Sequence, residues 1–281
     1  MMESKDLTEN NQYLMKELDE VQNLYNSKNF LNAEDKINEL IKKFPKLANL
    51  HYYLGLVLRK KDEINKAIKA FEQTIELQPN FAYAFSNLGD IYKFRKKTDL
   101  AINNYKKAIE LDPDISEAHN NLGNVYKSIN KLPEAIDEYK KAIKKNPKLF
   151  VVHNNLGIAY KALGELNKAK ICFLEVIKSK PDFYFAYRNL GLIIKWKNND
   201  PIITKLKELF LNLKENNVLK RELAFTLGKI HDATNIYEES LVIADIPLSN
   251  EKTVYSVVGD IVGWLSLIIV LLATTIYCMS P

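Results

Sequence analysis

Cysteine and histidine are scarce in this chain, and each scarcity excludes a class of chemistry. Of 281 residues, two are cysteine and four are histidine. Cys172 and Cys278 stand far apart in unlike surroundings, so no disulfide framework and no zinc-type ligand spacing can be built from them. That usage fits a reducing compartment. His51, His119 and His153 occupy the same position of successive repeating segments, too far apart to converge on one metal. Charge of one sign is not in excess either: the formal net charge is +5, with acids and bases interspersed. A nucleic-acid binder would concentrate its bases in a stripe or a reader motif, so no nucleic-acid partner is expected. No Walker loop, dinucleotide fingerprint, nucleophile elbow or metalloprotease motif occurs. These gaps argue against an enzyme, and neither a cofactor nor a small-molecule substrate is expected. The opening residues, MMESKDLTENNQ, lack the apolar core of a secretory signal.

What the chain does have is a period. Gly55, Gly89, Gly123, Gly157 and Gly191 lie 34 residues apart, and Pro45, Pro79, Pro113, Pro147 and Pro181 keep the same interval. Two residue types locked to one period of this size mark a solenoid array. Units of such an array contact their neighbours and share a continuous core. With units starting at Ala48, Ala82, Ser116, Phe150 and Tyr184, the third shows the pattern clearly. His119, Leu122, Val125 and Tyr126 follow the spacing of one inward helical face. Asn130-Lys131 breaks that helix, and Pro133 suits the first turn of a second, whose stripe is Ala135, Ile136, Tyr139, Ala142 and Ile143.

A glycine inside a helix costs about 1 kcal/mol relative to alanine, so its recurrence needs a packing reason. The expectation is a seam of small residues. Each glycine would lie opposite Ala67, Ala101, Ala135 or Ala169 of its second helix, with Phe71, Tyr105, Tyr139 and Phe173 filling the sides.

The Leu-Gly pairs Leu54-Gly55, Leu88-Gly89, Leu122-Gly123, Leu156-Gly157 and Leu190-Gly191, with Tyr92, Tyr126 and Tyr160 and the recurring Ala, aromatic and Pro positions, resemble the tetratricopeptide repeat (TPR) family. The resemblance implies an all-α fold: antiparallel helix pairs stacked into a right-handed TPR superhelical solenoid with a concave inner wall. The expected division is a charged tail over 1–13, a degenerate capping repeat over 14–47 and four regular units over 48–183. A divergent fifth unit and terminal helix pair over 184–245 follow, then a linker over 246–256 and a transmembrane anchor over 257–281. About six or seven units are expected in all. In the capping repeat Leu24, Phe30, Ala33, Ile37, Leu40 and Pro45 keep register without a Leu-Gly pair. The terminal pair, with Leu227-Gly228, resembles the last helical pair before the catalytic domain of bacterial repeat–sulfotransferase proteins, without the phosphate-binding loop that would follow there.

From Ile261 to Pro281 the chain carries no charge, with Trp264 and Tyr277 near the ends. That length and composition predict a single membrane helix. An anchor closing the chain predicts a repeat domain facing the cytoplasm. The stretch with Pro247-Leu248, Thr253-Val254-Tyr255 and Gly259-Asp260 also resembles the last membrane helix of apolipoprotein N-acyltransferases, in which the preceding domain lies outside the cytoplasm. The catalytic domain of that family is absent, so acyl transfer is not implied.

Two rows of side chains are candidates for binding. Asn87, Asn121, Asn155 and Asn189 each precede a Leu-Gly pair and would turn toward the inner wall, presenting amides that match the backbone of an extended peptide. In the family, and notably in the repeats of O-linked N-acetylglucosamine transferases, such a ladder grips peptide backbone. Arg59, Lys93, Lys127, Lys161 and Lys195 each follow their glycine by four residues and form a basic row beside it, suited to an acidic partner. Ser86, Asn120, Asn154, Tyr83 and Phe185 stand where the family's chaperone-tail clamp would need bases, so that ligand is not expected. The expected function is a non-catalytic, membrane-tethered scaffold or adaptor holding an extended or acidic protein segment. The alternative is an accessory or remnant chain of a repeat-linked transferase that lacks its catalytic domain.

Overall fold

A computed structural model of the chain describes residues 2–193, 201–213, 220, 223–224 and 226–228, with side-chain surroundings from Tyr13 onward. All regular structure among them is helical. Contacts divide the chain into two units, Met1–Ile194 and Lys195–Pro281.

The first unit is a run of eleven helices: α1 Met2–Asn26, α2 Phe30–Lys43, α3 Ala48–Lys60, α4 Ile64–Leu77, α5 Ala82–Phe94, α6 Thr98–Leu111, α7 Ser116–Ser128, α8 Leu132–Lys145, α9 Phe150–Ala162, α10 Leu166–Ser179 and α11 Tyr184–Gly191. Each packs against the next along the chain. The first helices of neighbouring repeats also meet directly, α5 on α7 and α7 on α9, while no two second helices approach as closely. First helices therefore form one layer of this unit and second helices the other. Helix α1 runs unbroken through residue 13, so the expected boundary between a tail and a capping repeat has no counterpart in the backbone.

Two local devices set the period. Lys28, Asp62, Lys96, Asn130 and Gly164, again 34 residues apart, all adopt positive φ between the helices of a pair. The residue after each donates its N–H to a carbonyl five residues back, as Lys97 does to Tyr92 and Lys131 to Tyr126, both at 2.9 Å. This is the left-handed C-terminal cap of a helix, in which glycine or asparagine is at ease and a longer side chain is strained. At the far end of each second helix the residue before proline leaves the helical region. Gln78, Asp112 and Asn146 lie at φ −142°, −141° and −137°. A following proline disfavours helical backbone in the residue before it, so the sequence itself stops the helix there.

The seam between paired helices differs from the expectation. A Cβ built on Gly55 would meet Phe71 ring carbon Cε1 at 2.6 Å, and one on Gly89, Gly123 or Gly157 would meet Tyr105, Tyr139 or Phe173 at 2.6–2.7 Å. The glycine thus receives the face of an aromatic ring rather than a small residue. Ala67, Ala101, Ala135 and Ala169 are fully buried, but at these glycines only Ala135 contributes one of the nearest atoms, through its carbonyl oxygen at 3.2 Å from a Cβ built on Gly123. The ring is too broad to sit against any residue with a side chain, and its burial offsets the helix-propensity cost of glycine.

The second unit has helix α12, Pro201–Asn212, with Ile203 and Leu206 buried along one face and Leu223, Ala224 and Leu227 buried beyond it. The 34-residue register puts Lys207 where the earlier repeats carry the ring. Among the described residues no helix is long and apolar enough to cross a membrane. The expected linker and anchor, and most of the stretches that resemble sulfotransferase-linked and N-acyltransferase chains, lie outside the described residues.

Candidate functional site

The asparagine row lies on the layer of first helices, and its amides bridge consecutive repeats. Asn87 Nδ2 donates to Tyr52 Oη at 3.3 Å and to the Tyr83 carbonyl at 2.8 Å. Asn155 Nδ2 donates to Asn120 Oδ1 at 3.0 Å, and Asn189 Nδ2 to Asn154 Oδ1 at 3.3 Å. All three reach the residue 35 positions earlier. Asn121 departs from that pattern: the residue 35 positions earlier is Ser86, and Nδ2 donates instead to Asp90 Oδ1 at 2.9 Å. Each amide is thereby oriented by the repeat before it. Asn155 keeps the most hydrogen-bonding capacity, because among the described residues no donor reaches its side-chain carbonyl and one amide hydrogen stays unused.

Asp90 organises the basic row in its first half. Its carboxylate takes Arg59 Nη1 at 3.2 Å, the Tyr105 hydroxyl at 2.6 Å and Asn121 at 2.9 Å, with Lys93 Nζ at 3.6 Å. Burial, and then the charge of Asp90, holds the Tyr105 phenol far above its ordinary range, so it stays a donor to that carboxylate. Arg59 is thus paired from within the chain, and Lys93 shares the same single carboxylate at the longer distance. Further along, among the described residues Lys161 Nζ reaches only an amide, Asn189 Oδ1 at 3.5 Å. Lys127 is partly buried, and burial alone pushes its ammonium pKa down, with no carboxylate among the described residues to offset the desolvation. Lys195 lies outside the described residues.

The remaining singled-out residues have structural roles. His51 and His153 each bond, through Nε2, the carbonyl of the proline six residues earlier, Pro45 and Pro147, at 3.0 and 3.1 Å. Tyr187 donates to Pro181 in the same way at 3.0 Å. His119 instead meets Glu138 on the partner helix at 2.6 Å. Burial pushes the Glu138 carboxyl up, but bonds from His119 and Lys141 outweigh it and hold the group below its ordinary range. Cys172 is buried, which pushes its thiol up to about 11 and removes thiolate character at neutral pH. Among the described residues no group of three His, Cys, Asp or Glu could hold a metal ion.

The residues that sequence reasoning did not single out are Asp90, Tyr52 and Asn124. Asn124 accepts the Tyr139 hydroxyl at 2.8 Å, at the repeat position that Asp90 fills one unit earlier. The available signal was that first helices α3, α5, α7, α9 and α11 carry two carboxylates, Asp90 and Glu117, against six bases.

Known proteins match this arrangement as repeats. The TPR repeat family model matches residues 55–95, 89–129 and 123–164, and the tetratricopeptide repeat model matches residues 151–183. No curated protein matches the chain. Among solved structures, it resembles pilF of Pseudomonas aeruginosa with a TM-score of 0.64 at 16% identity, over 74% of this chain and 94% of that one. YrrB, described as a TPR protein with an unusual peptide-binding site, matches with a TM-score of 0.52 at 18% identity, over 66% of this chain and 95% of its own. MamA of Desulfovibrio magneticus RS-1 matches with a TM-score of 0.53 at 19% identity, over 60% of this chain and 96% of its own. Likeness at such identities establishes the fold. Residues 55–183 of this chain are an array of tetratricopeptide repeats.

Proposed function

We propose that the layer of first helices holds an extended polypeptide segment without chemistry of its own, as a scaffold or adaptor, and that residues 257–281 tether it to a membrane with the repeats on the cytoplasmic side. One observation carries the binding role: the asparagine amides are locked in orientation by the preceding repeat, and Asn155 retains a carbonyl and an amide hydrogen for a ligand. An extended peptide offers matching backbone groups at regular spacing, and pre-oriented amides lower the ordering cost of binding it. YrrB, with the same fold, is described as having a peptide-binding site, which fits this reading. The uncharged run at the C-terminal end supports the tether by its length and hydropathy.

The test uses the full chain on a peptide array, beside the Asn121→Ala/Asn155→Ala variant. Captured peptides should bind the variant at least about tenfold more weakly, as expected for two lost hydrogen bonds, while the helical circular-dichroism signal persists. Equal affinity would remove the amides from the binding role. For the tether, carbonate extraction should leave the full chain in the membrane pellet, and recovery in the supernatant would refute it.

A further inference from the structure

The contact between Arg59 and Asp90 shows what the repeat geometry brings together: a base on one first helix and the residue 31 positions later on the next. Translating that pair along the array gives Lys93 with Asn124, Lys127 with Ile158 and Lys161 with Leu192. The internal carboxylate therefore occurs once, in the first half of the row. In the second half the bases remain and the register offers only the apolar side chains Ile158 and Leu192. Lys127 shows the consequence, since it is partly buried and has no counter-charge among the described residues. Loss of water without an opposite charge is unfavourable, and a carboxylate from outside the chain would relieve it.

The surroundings add a second requirement. Val151 and Phe185 are exposed apolar side chains. Each sits four residues before a row asparagine, Asn155 or Asn189, and so shares its helical face. Phe185 is part of an aromatic patch, with Phe183 at 5.5 Å and Tyr184 at 4.0 Å between ring centroids. Tyr83, four residues before Asn87, is exposed in the same way, so the halves differ in charge: the second combines exposed apolar side chains and an open amide with bases that have no carboxylate in register, whereas Asp90 closes the basic row of the first.

We infer that the peptide-binding region is confined to α7, α9 and α11, and that its ligand is an extended segment presenting an Asp or Glu carboxylate to Lys127 beside apolar side chains placed against Val151 and Phe185. This rests on the reading of the layer as a peptide holder and adds to it the ligand's charge, its apolar character and its place in the array. Asp90 acts as a built-in competitor that keeps acidic ligands from the Arg59 end.

The experiment measures fluorescence anisotropy of the full chain with two labelled peptides, one alternating Glu and Val and the other alternating Gln and Val. The Glu peptide should bind about tenfold more tightly, the size of one charge-assisted hydrogen bond. Lys127→Gln should abolish that preference, and Arg59→Gln should leave it intact. Ile158→Asp should supply an internal carboxylate and close the site, with Ile158→Asn as the control for polarity alone. Asp90→Asn should open a second acidic site at Arg59 and raise the stoichiometry. If both peptides bind equally, or Lys127→Gln keeps the preference, the charge assignment is wrong while the peptide-holding reading stands. If neither peptide binds, both readings fail together.

Discussion

In α3–α4 and the three pairs after it, a glycine on the first helix receives an aromatic ring from the second. In α1–α2, Val21 stands at the glycine position and Ile37 at the ring position, both almost completely buried. The two solutions fill the same seam by moving bulk from one helix to the other. They differ in how close the helices come, for α1 touches α2 much less extensively than α3 touches α4. The first pair compensates with polar links across its seam: Lys36 bonds Glu17 at 2.6 Å and Glu20 at 2.8 Å, and Lys43 donates to the Tyr13 hydroxyl at 2.9 Å. Glycine with a ring therefore permits close approach at a site that tolerates no added atoms, while valine with isoleucine gives a looser pair braced by half-buried charges.

The largest effect should come from adding bulk to a closed seam. Gly89→Val would drive branched carbons into Tyr105, and the resulting overpacking should cost about 3 kcal/mol by denaturant unfolding, near the top of the usual range. Val21→Ile in the looser pair should cost less than about 1 kcal/mol. Similar losses at both positions would erase the distinction. A second, smaller effect should come from converting one seam into the other. Val21→Gly alone should destabilise by about 2 kcal/mol through lost burial and helix propensity. Adding Ile37→Phe should recover at least half of it, because a ring then fills the vacated space; no recovery would mean that the wider α1–α2 spacing is imposed elsewhere.

The charged brace predicts a pH and salt response in the first pair that α5–α6, where no lysine is so raised, should lack. Hydrogen bonds donated to Glu17, then Glu20, raise the Lys36 ammonium above its ordinary range. A raised folded-state value contributes stability fully at pH below the unfolded value of 10.5 and loses it as pH climbs above that. Amide exchange in α1 and α2 should therefore quicken relative to α5–α6 in strong salt or above that pH, since salt screens such pairs. Uniform exchange across the array would contradict it. The smallest effect concerns the turns. Lys96→Gly relieves a lysine held at φ 57°, and the gain should be about 0.5–1 kcal/mol by thermal unfolding. Gly164→Lys should lose a similar amount at φ 81°.

Much of this fold was legible in the chain. The prolines announced where second helices stop, because the residue before proline resists helical backbone at Gln78, Asp112 and Asn146 alike. The glycines announced that something passes close to the first helix. Their partner was misread, since a periodicity gives the face of a helix but not which atoms opposite it reach furthest, and Tyr105 and Phe71 reach further than Ala101 and Ala67. The left-handed turns are not legible in the chain because Lys28 and Lys96 are poor signals for positive φ, whereas Asp62, Asn130 and Gly164 are of types that adopt it more readily. The candidate site was half visible. The amide and basic rows follow from period and position. Asp90 interrupts both, and its effect depends on contacts 31 residues apart on either side.

The sequence alone determined the repeat length, the pairing of helices and the boundaries of each unit, because these follow from local backbone preferences and from a helical face repeated every 34 residues. Tertiary structure decided which groups are already satisfied. Whether a lysine is neutralised, or an asparagine amide is claimed by its neighbour, depends on distances of about 3 Å between separate helices, and no local preference encodes those.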